Sequence, residues 1–168
     1  MAPRVLISDS LSEAAVAKFS DHGIDVEYAP DLGKDKDRLL EVIGDFDGLA
    51  VRSATKVTDK LLARAGKLKV VGRAGIGVDK IDIPAASASG VIVLNTPFGN
   101  SITTAEHAIA MLMAIARQLP EADASTRSGK WEKSRLMGTE ITGKTLGVIG
   151  CGNVGSIVAD RARGLKMM

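Results

Sequence analysis

The chain has 168 residues, enough for one buried core and part of a second. Apolar residues make up 45% and charged residues 25%, an ordinary globular balance with no apolar run long enough to cross a bilayer. A net charge of +2 is too small to make nucleic acid a main partner, and the single cysteine, Cys151, excludes an internal disulfide and suits a reducing cytoplasm.

Residues 1–9 hold one arginine and a short apolar run that ends at Asp9, which is a first strand rather than a secretory signal. From there strands and helices alternate. The pattern predicts strands at 5–8, 24–28, 48–52, 69–72 and 91–95. It predicts helices at 12–20, 35–43, 58–65 and 83–89, with Ser10 or Ser12 and Thr58 as N-caps. Runs such as Val91-Ile92-Val93-Leu94 are apolar throughout, as the strands of a parallel sheet covered on both faces must be. The expected fold is α/β, a flavodoxin-like doubly wound parallel sheet over residues 1–97.

Asn95-Thr96-Pro97-Phe98-Gly99-Asn100 breaks the alternation and reads as an inter-domain linker. A long helix is expected at 104–118, with an apolar stripe of Ile102, Ala105, Ile109, Leu112, Met113 and Ala116. Thr103 and Glu106 fit a capping box at its start. Pro120 opens a further helix to 128. Residues 129–143 form an irregular polar arm that carries Trp131. A strand at 145–149 and a helix at 156–163 then flank Gly150-Cys151-Gly152-Asn153-Val154-Gly155.

That flanked G-x-G-x-x-G is the pyrophosphate turn of a dinucleotide-binding unit, here the start of a Rossmann domain over 98–168. Gly150 permits the tight turn, Gly152 lets a phosphate approach the backbone, and Gly155 lets the helix pack on the strand. The bland alternative is a strand–helix turn with no ligand, in which Cys151 is a small filler. A second cluster lies at strand ends, where ligands of doubly wound sheets bind. Arg52, Ser53 and Arg73 converge there beside Gly75 and Gly77, and two guanidinium groups would make a fork for a carboxylate or phosphate. The competing reading is two arginines in solvated surface pairs. His22 and His107 are far apart and have no cysteine partners, so no metal site is expected. Glu106 is taken as a cap and His107 as a surface residue, not as an acid–base pair.

Five segments together carry a resemblance. They are Val51-Arg52-Ser53-Ala54-Thr55-Lys56-Val57, Val71-Gly72-Arg73-Ala74-Gly75-Ile76-Gly77-Val78-Asp79, Asn95 to Ser101, Lys130-Trp131-Glu132-Lys133, and Gly143 to Gly152. In order, and over essentially the whole chain, the sequence resembles the D-isomer-specific 2-hydroxyacid dehydrogenases, in particular those that oxidise 3-phospho-D-glycerate with NAD at the entry to serine synthesis. The resemblance implies hydride transfer between substrate C2 and nicotinamide C4 in a cleft between two domains. It implies that Arg52, Ser53 and Arg73 hold the substrate anion, with the Gly75 N–H on its carboxylate. It places Ile76 on the nicotinamide side and Gly152, Asn153 and Val154 on the cofactor phosphates. Lys133 stands where relatives often carry an arginine that reaches a neighbouring subunit's substrate, with Arg135 as a substitute. The family's histidine, glutamate and second arginine are expected beyond residue 168, as is the ribose-binding acid near position 170. The chain as given is therefore expected to be inactive and to bind NAD weakly or not at all. The strand at 145–149 is expected to pair with another chain or to lie on the long helix, and a homo-oligomer is expected. Alternatives are another D-2-hydroxyacid dehydrogenase, such as a glyoxylate or hydroxypyruvate reductase, or a non-catalytic NAD(H)-sensing corepressor-like protein.

Overall fold

The structure, a computed structural model, describes residues 2–168. Backbone contacts divide the chain into two compact units, Met1–Gly99 and Asn100–Met168.

The first unit contains β1 (Arg4–Ile7), α1 (Glu13–Asp21), β2 (Asp25–Tyr28), α2 (Lys36–Val42), β3 (Gly48–Val51), α3 (Asp59–Arg64), β4 (Val70–Arg73), α4 (Ile83–Ala88) and β5 (Ile92–Asn95). Short 3-10 turns occupy Leu32–Lys34 and Ile43–Asp45. All strand pairs are parallel, in the order β2-β1-β3-β4-β5. That is the flavodoxin-like doubly wound order.

Side chains alternate across the strands, so the sheet sorts its residues to two faces. Leu6, Leu49, Val51 and Val71 pack with Leu39, Ile43, Leu61, Leu62 and Ala86 from the helical side. Val5, Ile7 and Ala50 pack on the other face with Leu11, Val16 and Phe19. Each fully buried Leu or Ile contributes roughly 1.5–3 kcal/mol, so the larger first cluster dominates. Helix starts are fixed by side-chain caps: Ser12 accepts from Ala15 N–H, Asp35 from Arg38, Thr58 from Leu61 and Asp82 from Ala85. Cover on the second face is incomplete, against expectation. Ile92 and Leu94 on β5 are exposed, because among the described residues α1 packs only beside β1–β3.

The second unit contains α5 (Ser101–Ala116), α6 (Leu119–Arg127) and α7 (Asn153–Gly164). α5 packs on α7 and, less extensively, on α6. Ala105 of the expected stripe is buried and Ile109, Leu112, Met113 and Ala116 are half-buried, with Ile102 exposed. Gln118 takes a left-handed conformation and separates α5 from α6.

Two expectations fail here. The capping box does not form: Asn100 is the N-cap, and Thr103 and Glu106 lie inside the helix. Starting one turn early buries Ser101 directly below Ala105, at i and i+4 on one face. The expected strand at 145–149 joins no sheet among the described residues. Its neighbourhood instead meets the last residues of the chain: Gly143 N–H donates to the Lys166 carbonyl at 2.9 Å, Leu146 N–H to Met168 at 2.8 Å and Met168 N–H to Lys144 at 2.9 Å. A strand needs a laddered partner, and three bonds on one side leave Ile149 fully exposed.

Candidate functional site

The carboxyl ends of β1, β3, β4 and β5 lie along one edge of the sheet, the edge where such folds bind ligands. Arg52 and Ser53 leave β3 there, and Arg73 ends β4 opposite Val51. The loops are tied together. Ala74 N–H donates to the Val51 carbonyl at 2.9 Å, Thr96 N–H to the Gly75 carbonyl at 3.1 Å, and the Asn95 amide to the Ile76 carbonyl at 2.8 Å.

Arg52 and Ser53 line a hollow of about 510 Å³ with Asp9, Ser10, Tyr28 and Lys34. Arg52 is exposed, and its Nη1 donates to the Ser10 carbonyl at 3.1 Å. It makes no ion pair with a carboxylate among the described residues, so the reading of a solvated surface pair does not hold for it. Lys34 does have a partner: its Nζ lies 2.7 Å from Asp31, whose hydrogen bond and charge raise the lysine above its ordinary value.

The two arginines do not form the expected fork. Arg73 lines a separate, smaller hollow with Leu11, Phe19, Leu94 and Asn95. Its Nε donates to the Arg52 carbonyl at 3.1 Å, because that carbonyl sits at the strand end and needs a donor. The Arg73 side chain is 12% exposed, and its Nη1 is buried with no hydrogen-bond acceptor among the described residues. Asp79 Oδ1 lies 3.9 Å from it, an ion pair without a hydrogen bond. The N–H of Gly75 also differs from expectation. It donates to the Arg73 carbonyl at 2.9 Å in a tight turn, and so is already engaged.

Sequence reasoning missed Asp9, Thr55, Lys34 and Lys80. Asp9 and Thr55 are buried together and hydrogen-bonded at 2.7 Å, Lys34 faces the hollow, and Lys80 Nζ donates to the Ser53 carbonyl. The available signal was Ser8-Asp9, a polar pair directly after an apolar strand.

The glycine turn lies in the second unit. Gly150 has φ +90° and Gly152 is the N-cap of α7. No side chain caps that helix, so its first N–H groups are left for an anion. A Cβ at Gly152 would meet nothing within 4 Å, which is the open approach a phosphate requires. A Cβ at Gly155 would collide with the Gly150 carbonyl, so helix and turn touch there. Asn153 and Val154 are the first two residues of α7. These residues fit a dinucleotide phosphate. Cys151 is exposed and is not a filler.

On the arm, Lys133 lines a hollow of about 500 Å³ with Arg117, Trp131, Leu136 and Met137. Arg135 is held instead by Glu132, at 2.7 Å and 3.1 Å. That bond, followed by one from Ser125, keeps the Glu132 carboxyl below its ordinary range.

Residues 5–161 match the family of D-isomer specific 2-hydroxyacid dehydrogenases, catalytic domain. The chain belongs to this family. It is 45% identical over 164 residues to D-3-phosphoglycerate dehydrogenase of Archaeoglobus fulgidus, covering 98% of this chain and 31% of that protein. The crystal structure of TT0316 protein from Thermus thermophilus is similar at TM-score 0.90 and 33% identity, over 98% of this chain and 54% of the other. NAD+-bound 3-phosphoglycerate dehydrogenase of Entamoeba histolytica is similar at TM-score 0.77 and 31% identity, over 99% of this chain and 52% of the other. The chain thus spans about a third to a half of the length of these relatives. No helix among the described residues is long and apolar enough to cross a membrane.

Proposed function

We propose that this chain supplies the substrate-anion site and the pyrophosphate turn of an NAD-dependent dehydrogenase acting on 3-phosphoglycerate. The carrying observation is the pair of arginines at one sheet edge with unmet bonding capacity. Among the described residues, Arg52 faces its hollow without a carboxylate partner, and Arg73 Nη1 has no acceptor. A buried cationic donor without an acceptor is costly, and a bound anion would satisfy it. The relatives named D-3-phosphoglycerate dehydrogenase support the substrate class.

In this reading Arg52 and Ser53 grip one anionic end of the substrate. Arg73 turns from the Arg52 carbonyl toward the other end, and Gly75 exchanges its intraloop bond for the carboxylate. Ile76 borders the nicotinamide, and the N–H groups of Asn153 and Val154 beside Gly150, Gly152 and Gly155 hold the cofactor phosphates. Those residues would hold NAD, which would supply the hydride acceptor for substrate C2. Lys133 offers a positive charge to a second copy, whereas Arg135 is occupied by Glu132. Exposed Met111, Ile115, Trp131 and Met137 in the second unit support a homo-oligomer. The lone thiol of Cys151 suits a cytoplasmic setting.

Calorimetric titration with 3-phosphoglycerate and with glyoxylate tests the substrate class. Phosphoglycerate should bind more tightly, and Arg52→Ala should weaken it by about tenfold or more, the loss of one charge-assisted bond. Equal affinity for both acids, or an Arg52→Ala chain that binds like wild type, would contradict the proposal.

A further inference from the structure

Asp9 is a carboxylate only 2% exposed, and it belongs to neither hydrophobic cluster. A buried carboxylate persists only where its oxygens are hydrogen-bonded. Among the described residues, every bond that Asp9 accepts comes from one loop. Arg52 N–H donates to Oδ2 at 2.6 Å, Ala54 N–H to Oδ2 at 3.2 Å, and Thr55 N–H to both oxygens at 3.2 Å. The Thr55 hydroxyl donates to Oδ1 at 2.7 Å and lies 2.8 Å from Ser8 Oγ.

No residue from 52 to 56 donates its N–H to a backbone carbonyl among the described residues. The strand ladder ends at Val51, and the carboxylate of Asp9 takes its place for the next turn. The same cluster holds a second loop. Gly33 N–H donates to the Ser8 carbonyl at 2.8 Å. A Cβ at Gly33 would overlap both Thr55 Oγ1 and Asp9 Oδ1, so the 3-10 turn lies directly on the polar cluster. The next residue, Lys34, shares the hollow with Arg52 and Ser53.

We propose that Asp9, through Thr55, is a positioning residue for anion recognition. It fixes the loop 52–55 and the turn 32–34 against each other, so that Arg52, Ser53 and Lys34 face one hollow. This rests on the anion-site reading above. The sheet and its core do not depend on the carboxylate, because their contacts are apolar and come from other residues. Replacing Asp9 with Asn puts an amide donor against backbone N–H groups that need acceptors. The loop then loses its shape while the strands remain.

The test compares wild type, Asp9→Asn, Thr55→Val, Thr55→Ser and Leu39→Ala. Each is measured for 3-phosphoglycerate affinity, for thermal midpoint and, by NMR, for amide exchange at Arg52, Ala54 and Thr55. Asp9→Asn and Thr55→Val should weaken binding by about tenfold or more, since displaced binding groups lose this much readily. Exchange at the three amides should quicken in both. Thr55→Ser keeps the hydroxyl and should restore wild-type affinity. Leu39→Ala opens a core cavity, so it should lower the midpoint without changing affinity. Asp9→Asn binding within twofold of wild type overturns the proposal, as does Leu39→Ala weakening binding to the same degree. Should wild type bind no phosphoglycerate, the anion-site reading falls. Amide exchange then decides the clamp alone, and unchanged exchange in Asp9→Asn and Thr55→Val overturns it. If Asp9→Asn does not fold, the two Thr55 variants decide.

Discussion

Asp47 precedes β3 and is half-buried. Arg4 N–H donates to its Oδ2 at 3.0 Å, and Lys69 Nζ lies 3.3 Å from Oδ1. The backbone bond first, then the lysine, holds its carboxyl below the ordinary carboxylate range. A carboxylate depressed in the folded state stabilises the fold above its unfolded value, about 4. That stability is lost as pH falls through the folded value. Acid unfolding should therefore be shallower in Asp47→Asn, with the gap from wild type closing between about pH 5 and pH 2. A gap of constant size on denaturant titration across that range would refute this. Asp9 stood out only as half of the polar pair Ser8-Asp9 after an apolar strand; what it binds was not legible, and the reason is separation. Its partners are backbone N–H groups 43 to 46 positions away, and no local pattern encodes them. Arg52 and Arg73 were legible because a cation directly after an apolar strand stands out. Their rotamers were not, since the carbonyl that attracts Arg73 Nε appears only when β3 and β4 are paired.

At the scale of elements, the junction of turn and α7 is the most constrained. The Gly150 carbonyl occupies the place where any side chain at position 155 would begin. Gly155→Ala forces that carbonyl or the helix to move, at a cost of roughly 1–3 kcal/mol. The exposed neighbour Ser156→Ala is the control and should be nearly neutral. Urea melts of both, with equal stability as the contrary result, check this. The strands and helices of the first unit were readable because the strands other than β2 (Asp25-Val26-Glu27-Tyr28) carry short apolar runs and because two helices have their capping side chain at the expected place, Ser12 and Thr58. α5 was misread at its start because two signals compete there. Thr103 and Glu106 satisfy a local motif, but the helix begins at Ser101, after Asn100, and runs through both. Residues 145–149 have strand composition, yet a strand is a property of two segments, and no described segment ladders with them.

For the whole molecule, sheet order follows from short parallel connections, and its carboxyl edge gathers Asp9, Arg52, Arg73 and Asn95 from four strand ends. The glycine turn belongs to the other unit, where α7 begins uncapped. In the proposed reading the substrate-anion residues fall in the first unit and the cofactor-phosphate residues in the second. The central claim is that the first unit recognises a small phosphorylated acid at that edge. The most direct measurement is an NMR titration of the isotope-labelled chain with 3-phosphoglycerate. The account predicts saturable amide shifts concentrated at residues 52–55 and 73–77. Shifts confined to residues 100–168, or none at saturating ligand, would contradict it.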